Sequence, residues 1–158
     1  MELKVARRTA KIYELSNLDP LTGLFNRTAF LHHLEEQLAK GEKENEPVAL
    51  LFIDLDGFKK INDTLGHETG DKVLKQTAIR LKAFGDEEHL LCRWGGDEFL
   101  IAVMGANQDV AITYAQEVIS KISDYYDFES NRLSIGATVG IALYPEHAIK
   151  GDELIQLA

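Results

Sequence analysis

Residues 90–103 read LLCRWGGDEFLIAV. Two apolar runs of strand length flank a glycine pair, and glycines reverse a chain tightly, so the spacing predicts a β-hairpin with strands at 90–93 and 98–104. Its turn carries Asp97 and Glu98 side by side. Adjacent carboxylates repel each other and stabilise nothing unless a positive group sits between or beside them. Either the turn is simply solvated, or it is one half of a cation site whose other half lies elsewhere in the chain.

Outward from the hairpin, residues 48–55 read VALLFIDL, a continuous apolar run that ends in acids, Asp54 and Asp56. Such runs fit a buried central strand. Apolar spacing predicts helices over 28–40, 58–65, 69–84 and 108–126, and another from Gly151 onward. Residues 132–143 alternate, with Leu133, Ile135, Ala137, Val139 and Ile141 on one face, and read as a strand. The SNLDPLTGLFNR stretch is a loop by composition. Residues 1–17 read as a linker helix from an upstream module, with Leu3, Ala6, Ala10 and Tyr13 at helical spacing. There is no internal repeat. The order of elements predicts an α/β (α+β) sandwich with a mostly antiparallel sheet and flanking helices, of the ferredoxin-like or polymerase-palm type.

The chain has 158 residues, 45% hydrophobic and 27% charged, which suits one globular domain with a real core. A net charge of −9 argues against broad nucleic-acid binding, which needs a basic face. It leaves room for a nucleotide substrate, because divalent cations bridge carboxylates to phosphates. The single cysteine, Cys92, has no internal partner, so a reducing compartment is expected. No run has the length of a membrane span and the start is no signal peptide. The expected location is cytoplasmic, with a membrane segment open to a longer parent protein.

If the hairpin lies beside the strand that ends in Asp54 and Asp56, three or four carboxylates converge. Two divalent ions would remove their repulsion and serve in-line phosphoryl or nucleotidyl transfer. Gly95 and Gly96, without β-carbons, would let the backbone approach a phosphate. The plain reading is a hairpin turn and strand-end caps, and spacing alone leaves both open.

Three longer strings go further. RWGGDEF (93–99), FIDLDGFKKINDTLGHETGD (52–71) and DPLTGLFNR (19–27) resemble the three signature blocks of GGDEF domains, the diguanylate cyclases of bacterial signalling, in the family's order. The resemblance runs from about Leu18 to the end, giving a GGDEF domain over 18–158. It implies condensation of two GTP into cyclic di-GMP with release of two pyrophosphates, across a homodimer in which each subunit presents one GTP. By the same resemblance, Asp54, Asp97 and the backbone carbonyl of Leu55 hold two Mg2+ (or Mn2+). Glu98 joins the metal site or takes the proton of the 3′-hydroxyl. Asn62 and Asp71 match the guanine-reading pair, and Asp71 would accept from the N1–H and N2–H2 that adenine lacks. His67 matches a position near ribose or base, Lys59 one near the phosphates, and Phe58 an apolar residue beside the nucleotide. Asp19, Asn26 and Arg27 would organise the loop. Arg93 would support it or reach the partner's substrate. Asn62 as a surface residue, Asp71 as an N-cap, His67 as a cap and Phe58 as core are the ordinary alternatives.

Two departures stand out. Where product-inhibited members carry Arg-x-x-Asp, this chain has Asp86-Glu87-Glu88-His89, so an acid replaces a guanidinium and no product inhibition through that window is expected. The chain also ends before the family's Ala-Lys…Gly-Arg-Asn block, whose cations contact the phosphates, which reads as a truncated domain. An upstream sensor or receiver module is the expected partner, with no nucleic acid, and whether a phosphodiesterase domain follows downstream is left open by the sequence. The alternative is a non-catalytic GTP-binding or dimerising module. A polymerase-like or nuclease-like two-metal domain comes third, because a basic surface is lacking.

Overall fold

The computed structural model describes residues 17–84, 89–128 and 131–158. The expected lead-in helix, apart from Asn17, and residues 86–88 of the altered window lie outside the described residues. The elements are α1 (Arg27–Glu44), β1 (Val48–Asp56), α2 (Phe58–Leu65), α3 (His67–Phe84), β2 (Leu90–Arg93), β3 (Glu98–Met104), α4 (Gln108–Ser123), β4 (Tyr126–Phe128), β5 (Asn131–Leu133), β6 (Gly136–Tyr144) and α5 (Gly151–Leu157). The main sheet runs β2–β3–β1–β6, antiparallel throughout. This is the expected mixed sandwich, with the β2–β3 hairpin beside β1.

Strand alternation sorts the core into two layers. From β1, Ala49, Leu51, Ile53 and Leu55 pack with Val73, Leu74, Ala78 and Leu81 of α3 and with Ala111, Val118 and Ile122 of α4. Val48 and Leu50 face the other way, onto Phe30, Leu34 and Leu38 of α1 and Leu154 of α5. Along this second face burial fades, from Val48 and Leu50 through half-buried Phe52 to exposed Asp54 and Asp56. The first helical layer covers β1 to its end and the second does not. That mismatch places the acids in the open.

Beyond shifts of a single residue, the elements differ from the sequence expectation in four places. Helix α1 runs on through Gly41 to Glu44, where Asn45, at φ 56°, closes it with its N–H on the carbonyls of Glu42 and Gly41. Helix α3 begins at His67, two residues early. Helix α4 stops at Ser123 rather than at 126. Tyr126 is fully buried, its hydroxyl donates to the Ile122 carbonyl at 2.8 Å and lies 3.2 Å from Thr77 Oγ1, and it begins β4. Arg80 of α3 lies 3.7 Å over the Tyr126 ring and donates to the carbonyls of Lys121, Asp124 and Tyr125, so a cation takes up the helix end. The single strand expected over 132–143 divides, because β5 pairs with β4 in a separate two-stranded ribbon and β6 starts afresh at Gly136.

Cys92 is fully buried on β2, and burial pushes its thiol up to about 12. Among the described residues no helix is long and apolar enough to cross a membrane.

Candidate active site

The acids of the two sequence clusters meet at one end of the sheet. Asp54 is the register partner of Glu98 on β3 and of Thr138 on β6. The N–H of Leu55 donates to the Asp97 carbonyl at 3.1 Å, which ties the hairpin turn to the end of β1. Asp56, two residues beyond Asp54 on the same face, accepts from Thr138 Oγ1 at 2.8 Å. Thr138 was not singled out in the sequence. Only the cross-strand register could have shown it.

The turn is held from two sides. Trp94 N–H donates to the Glu98 carbonyl at 2.8 Å, and Gly95 N–H to the same oxygen at 3.3 Å. A Cβ on Gly95 would lie 2.2 Å from Glu98 Oε1, so the glycine lets that carboxylate fold back over the turn. Gly96 has open space around it, and its carbonyl is clasped by Arg93 through Nε at 3.3 Å and Nη2 at 3.0 Å. The remaining nitrogen of Arg93, Nη1, reaches Asp19 Oδ1 at 3.3 Å and Oδ2 at 3.5 Å. Asp19 in turn accepts from Thr22 N and Oγ1, both at 2.8 Å. Asn26 caps α1 by accepting from Ala29 N at 3.0 Å, while Arg27 donates to the Trp94 carbonyl at 2.7 Å and stacks 4.5 Å over its ring. The DPLTGLFNR loop is thus a brace for the acidic turn, and of the two roles considered for Arg93 these bonds are those of support.

Charge accumulates where the acids meet. Partial desolvation at the strand end, followed by the carboxylates of Asp97 and Asp56, raises the Asp54 carboxyl above its ordinary value, although the side chain is exposed. A carboxyl whose pKa is raised in the folded protein favours folding below the unfolded value, and that contribution is lost as pH rises through the folded value. Ionised Asp54 therefore costs stability at neutral pH. Asp54→Asn should raise the melting temperature at pH 7 without divalent ions. The gain should vanish below about pH 3.9, where the wild-type carboxyl is protonated in both states. A gain that is unchanged across that range would contradict the account.

Asp54, Asp97, Glu98 and Asp56 offer only carboxylate oxygens, the hard donors that magnesium and manganese take. Among the described residues no three His, Cys, Asp or Glu side chains already form a group that could hold an ion. The convergence expected from sequence is therefore a shared strand end, with the Glu98 carboxylate turned over Gly95 and that of Asp56 turned to Thr138. The donor chemistry and the repulsion at Asp54 fit a divalent cation.

A second set of residues lies at the α2–α3 junction, one turn of chain beyond Asp56. Phe58 is 7% exposed and belongs to the core, with the end of its ring, Cζ, 3.3 Å from a Cβ built on Gly70. Asn62 Oδ1 is buried with no hydrogen-bond partner, an arrangement that costs about 1–3 kcal/mol. Lys59, His67 and Asp71 are exposed on the same helix pair. The structure thus brings the acids together at the sheet end and Phe58 and Asn62 together at the junction.

The family described as "Diguanylate cyclase, GGDEF domain" matches residues 16–158. The chain belongs to the GGDEF family. It is 36% identical over 151 residues to the bifunctional diguanylate cyclase/cyclic di-GMP phosphodiesterase MucR of Pseudomonas aeruginosa, covering 96% of this chain and 22% of that protein. It is 37% identical over 150 residues to the diguanylate cyclase TpbB of Pseudomonas aeruginosa strain UCBPP-PA14, covering 93% and 34%. Among solved structures, a sensory box/GGDEF family protein from Caulobacter crescentus CB15 superposes with a TM-score of 0.86 at 34% identity, over 90% of this chain and 92% of that one. This GGDEF domain spans between about a fifth and a third of the length of those two curated relatives.

Proposed function

We propose that this GGDEF domain is a diguanylate cyclase, a nucleotidyltransferase that joins two GTP into cyclic di-GMP and releases two pyrophosphates. The observation that carries the reading is the pairing of Asp54 with Glu98 across β1 and β3, with the Asp97 carbonyl bonded to Leu55 beside them. In each of two steps a 3′-hydroxyl oxygen attacks the α-phosphorus of the facing GTP. The 3′-proton leaves to a base, the bond from α-phosphorus to the bridging oxygen breaks, and pyrophosphate departs with the electron pair. Two subunits face each other, each holding one GTP.

Asp54, Asp97 and the Leu55 carbonyl would hold two magnesium or manganese ions. When bound, these supply a Lewis acid for the attacking hydroxyl and charge stabilisation for the reacting phosphate. Glu98 serves as a further ligand or as acceptor of the 3′-proton. Gly96, with open space where a Cβ would stand, would let the backbone approach a phosphate and offer its N–H. Asn62 and Asp71 read the guanine, Lys59 neutralises phosphate, His67 lies by the ribose or base, and the Phe58 ring supports the pocket from the core. The domain is 18–158, in a cytoplasmic part of a longer protein whose upstream sensor or receiver module sets the dimer geometry.

Incubation with GTP and magnesium, followed by nucleotide chromatography, tests the reading. Cyclic di-GMP and pyrophosphate should appear and should vanish with EDTA. GTP bound but unchanged would make the domain a nucleotide sensor instead.

A further inference from the structure

Gly70 lies in the first turn of α3 with no positive φ. A glycine in a helix is less stable than alanine, so the backbone gives no reason for it. The surroundings do. A Cβ at this position would stand 1.8 Å from Asn62 Oδ1, 2.9 Å from Asn62 Cγ and 3.3 Å from Phe58 Cζ. The Asn62 carboxamide is laid against the Gly70 Cα, with Oδ1 covered and unpartnered. An amide that hides its acceptor turns its donor end outward.

We infer that Gly70 is a positioning residue for guanine recognition: its missing side chain holds the Asn62 carboxamide with Nδ2 directed at an acceptor of the base, O6 or N3. Asp71, the next residue, then takes the N1–H and N2–H2 donors. This deepens the guanine-nucleotide reading above and rests on it. Because the clash falls on the end of a flexible side chain rather than on backbone, alanine at position 70 should displace the amide and leave the helix intact.

The test is a double-mutant cycle, read as equilibrium binding of a fluorescent α,β-methylene GTP analogue with magnesium, alongside the matching ATP analogue. Gly70→Ala should weaken the GTP analogue about three- to tenfold, the range for one hydrogen bond. Asn62→Ala should weaken it similarly, and Gly70→Ala should cost nothing further on the Asn62→Ala background. The melting temperature of Gly70→Ala should equal or exceed that of the wild type. Wild-type affinity in Gly70→Ala, an undiminished cost on the Asn62→Ala background, or failure of Gly70→Ala to fold would each overturn the inference while leaving the guanine reading standing. A wild-type chain that binds the two analogues equally, or neither, would overturn both.

Discussion

Asp97→Ala should lower cyclic di-GMP formation by about 10³-fold or more while the domain stays folded. Asp97 is half-buried in the turn, its backbone carbonyl holds Leu55 at 3.1 Å, and its carboxylate raises the Asp54 carboxyl. The substitution keeps the backbone bond and removes only the side chain, so the brace is untouched. A divalent ion contributes several kcal/mol of charge stabilisation to phosphoryl transfer, and each 1.36 kcal/mol is tenfold in rate. Loss of a ligand should therefore fall on turnover. The metal-free melting temperature should hold or rise, because a like charge beside Asp54 is gone. Steady-state turnover with magnesium, measured beside a thermal melt, separates the two effects. Near-normal turnover in a folded variant would remove Asp97 from the proposed metal site.

Arg93→Ala should do the reverse and damage the scaffold first. Its guanidinium makes two bonds to the Gly96 carbonyl and one ion pair with Asp19, whose side chains are only 19% and 16% exposed. Hydrogen bonds to charged groups contribute more than neutral ones, and a largely buried pair broken on one side leaves the other charge stranded. The expected loss is about 2 kcal/mol, or a fall of about 4–8 °C in melting temperature for a domain of this size. Released from Gly96 and Asp19, the acidic turn should also lose turnover, by about tenfold. Arg93→Lys should recover little, since an ammonium cannot reproduce a planar fork. Thermal melts of the three proteins decide the matter. A melt unchanged in Arg93→Ala would show that the clasp is ornamental to the fold.

Much of this was legible along the chain. The β2–β3 hairpin falls at residues 90–93 and 98–104 as the apolar runs around the glycine pair predict, and the run at 48–55 is the central strand, extended by one residue. Both are local: a strand buried on two faces is apolar at every position, and a glycine pair between apolar runs turns the chain. The three signature strings placed the chain in its family, because long strings in a fixed order do not recur by chance. The braces of the DPLTGLFNR loop were legible in kind, though not in their partners.

Other features exist only in three dimensions. Tyr126 looks like a continuation of α4 until Thr77, Arg80 and Ile122 close around it from two helices. Thr138 looks like one residue of an alternating strand until the register sets it beside Asp54. Gly70 looks like an unexplained glycine at the start of a helix until α2 packs on α3 and lays Asn62 across it. The sequence by itself determined the hairpin and the central strand, the acids at their ends and the family. The tertiary structure alone decided which carboxylate folds back on its own turn and which amide is pressed under a glycine. Periodicity records the spacing of residues along one segment, whereas those orientations depend on distances between segments far apart in the chain, set only when the layers pack.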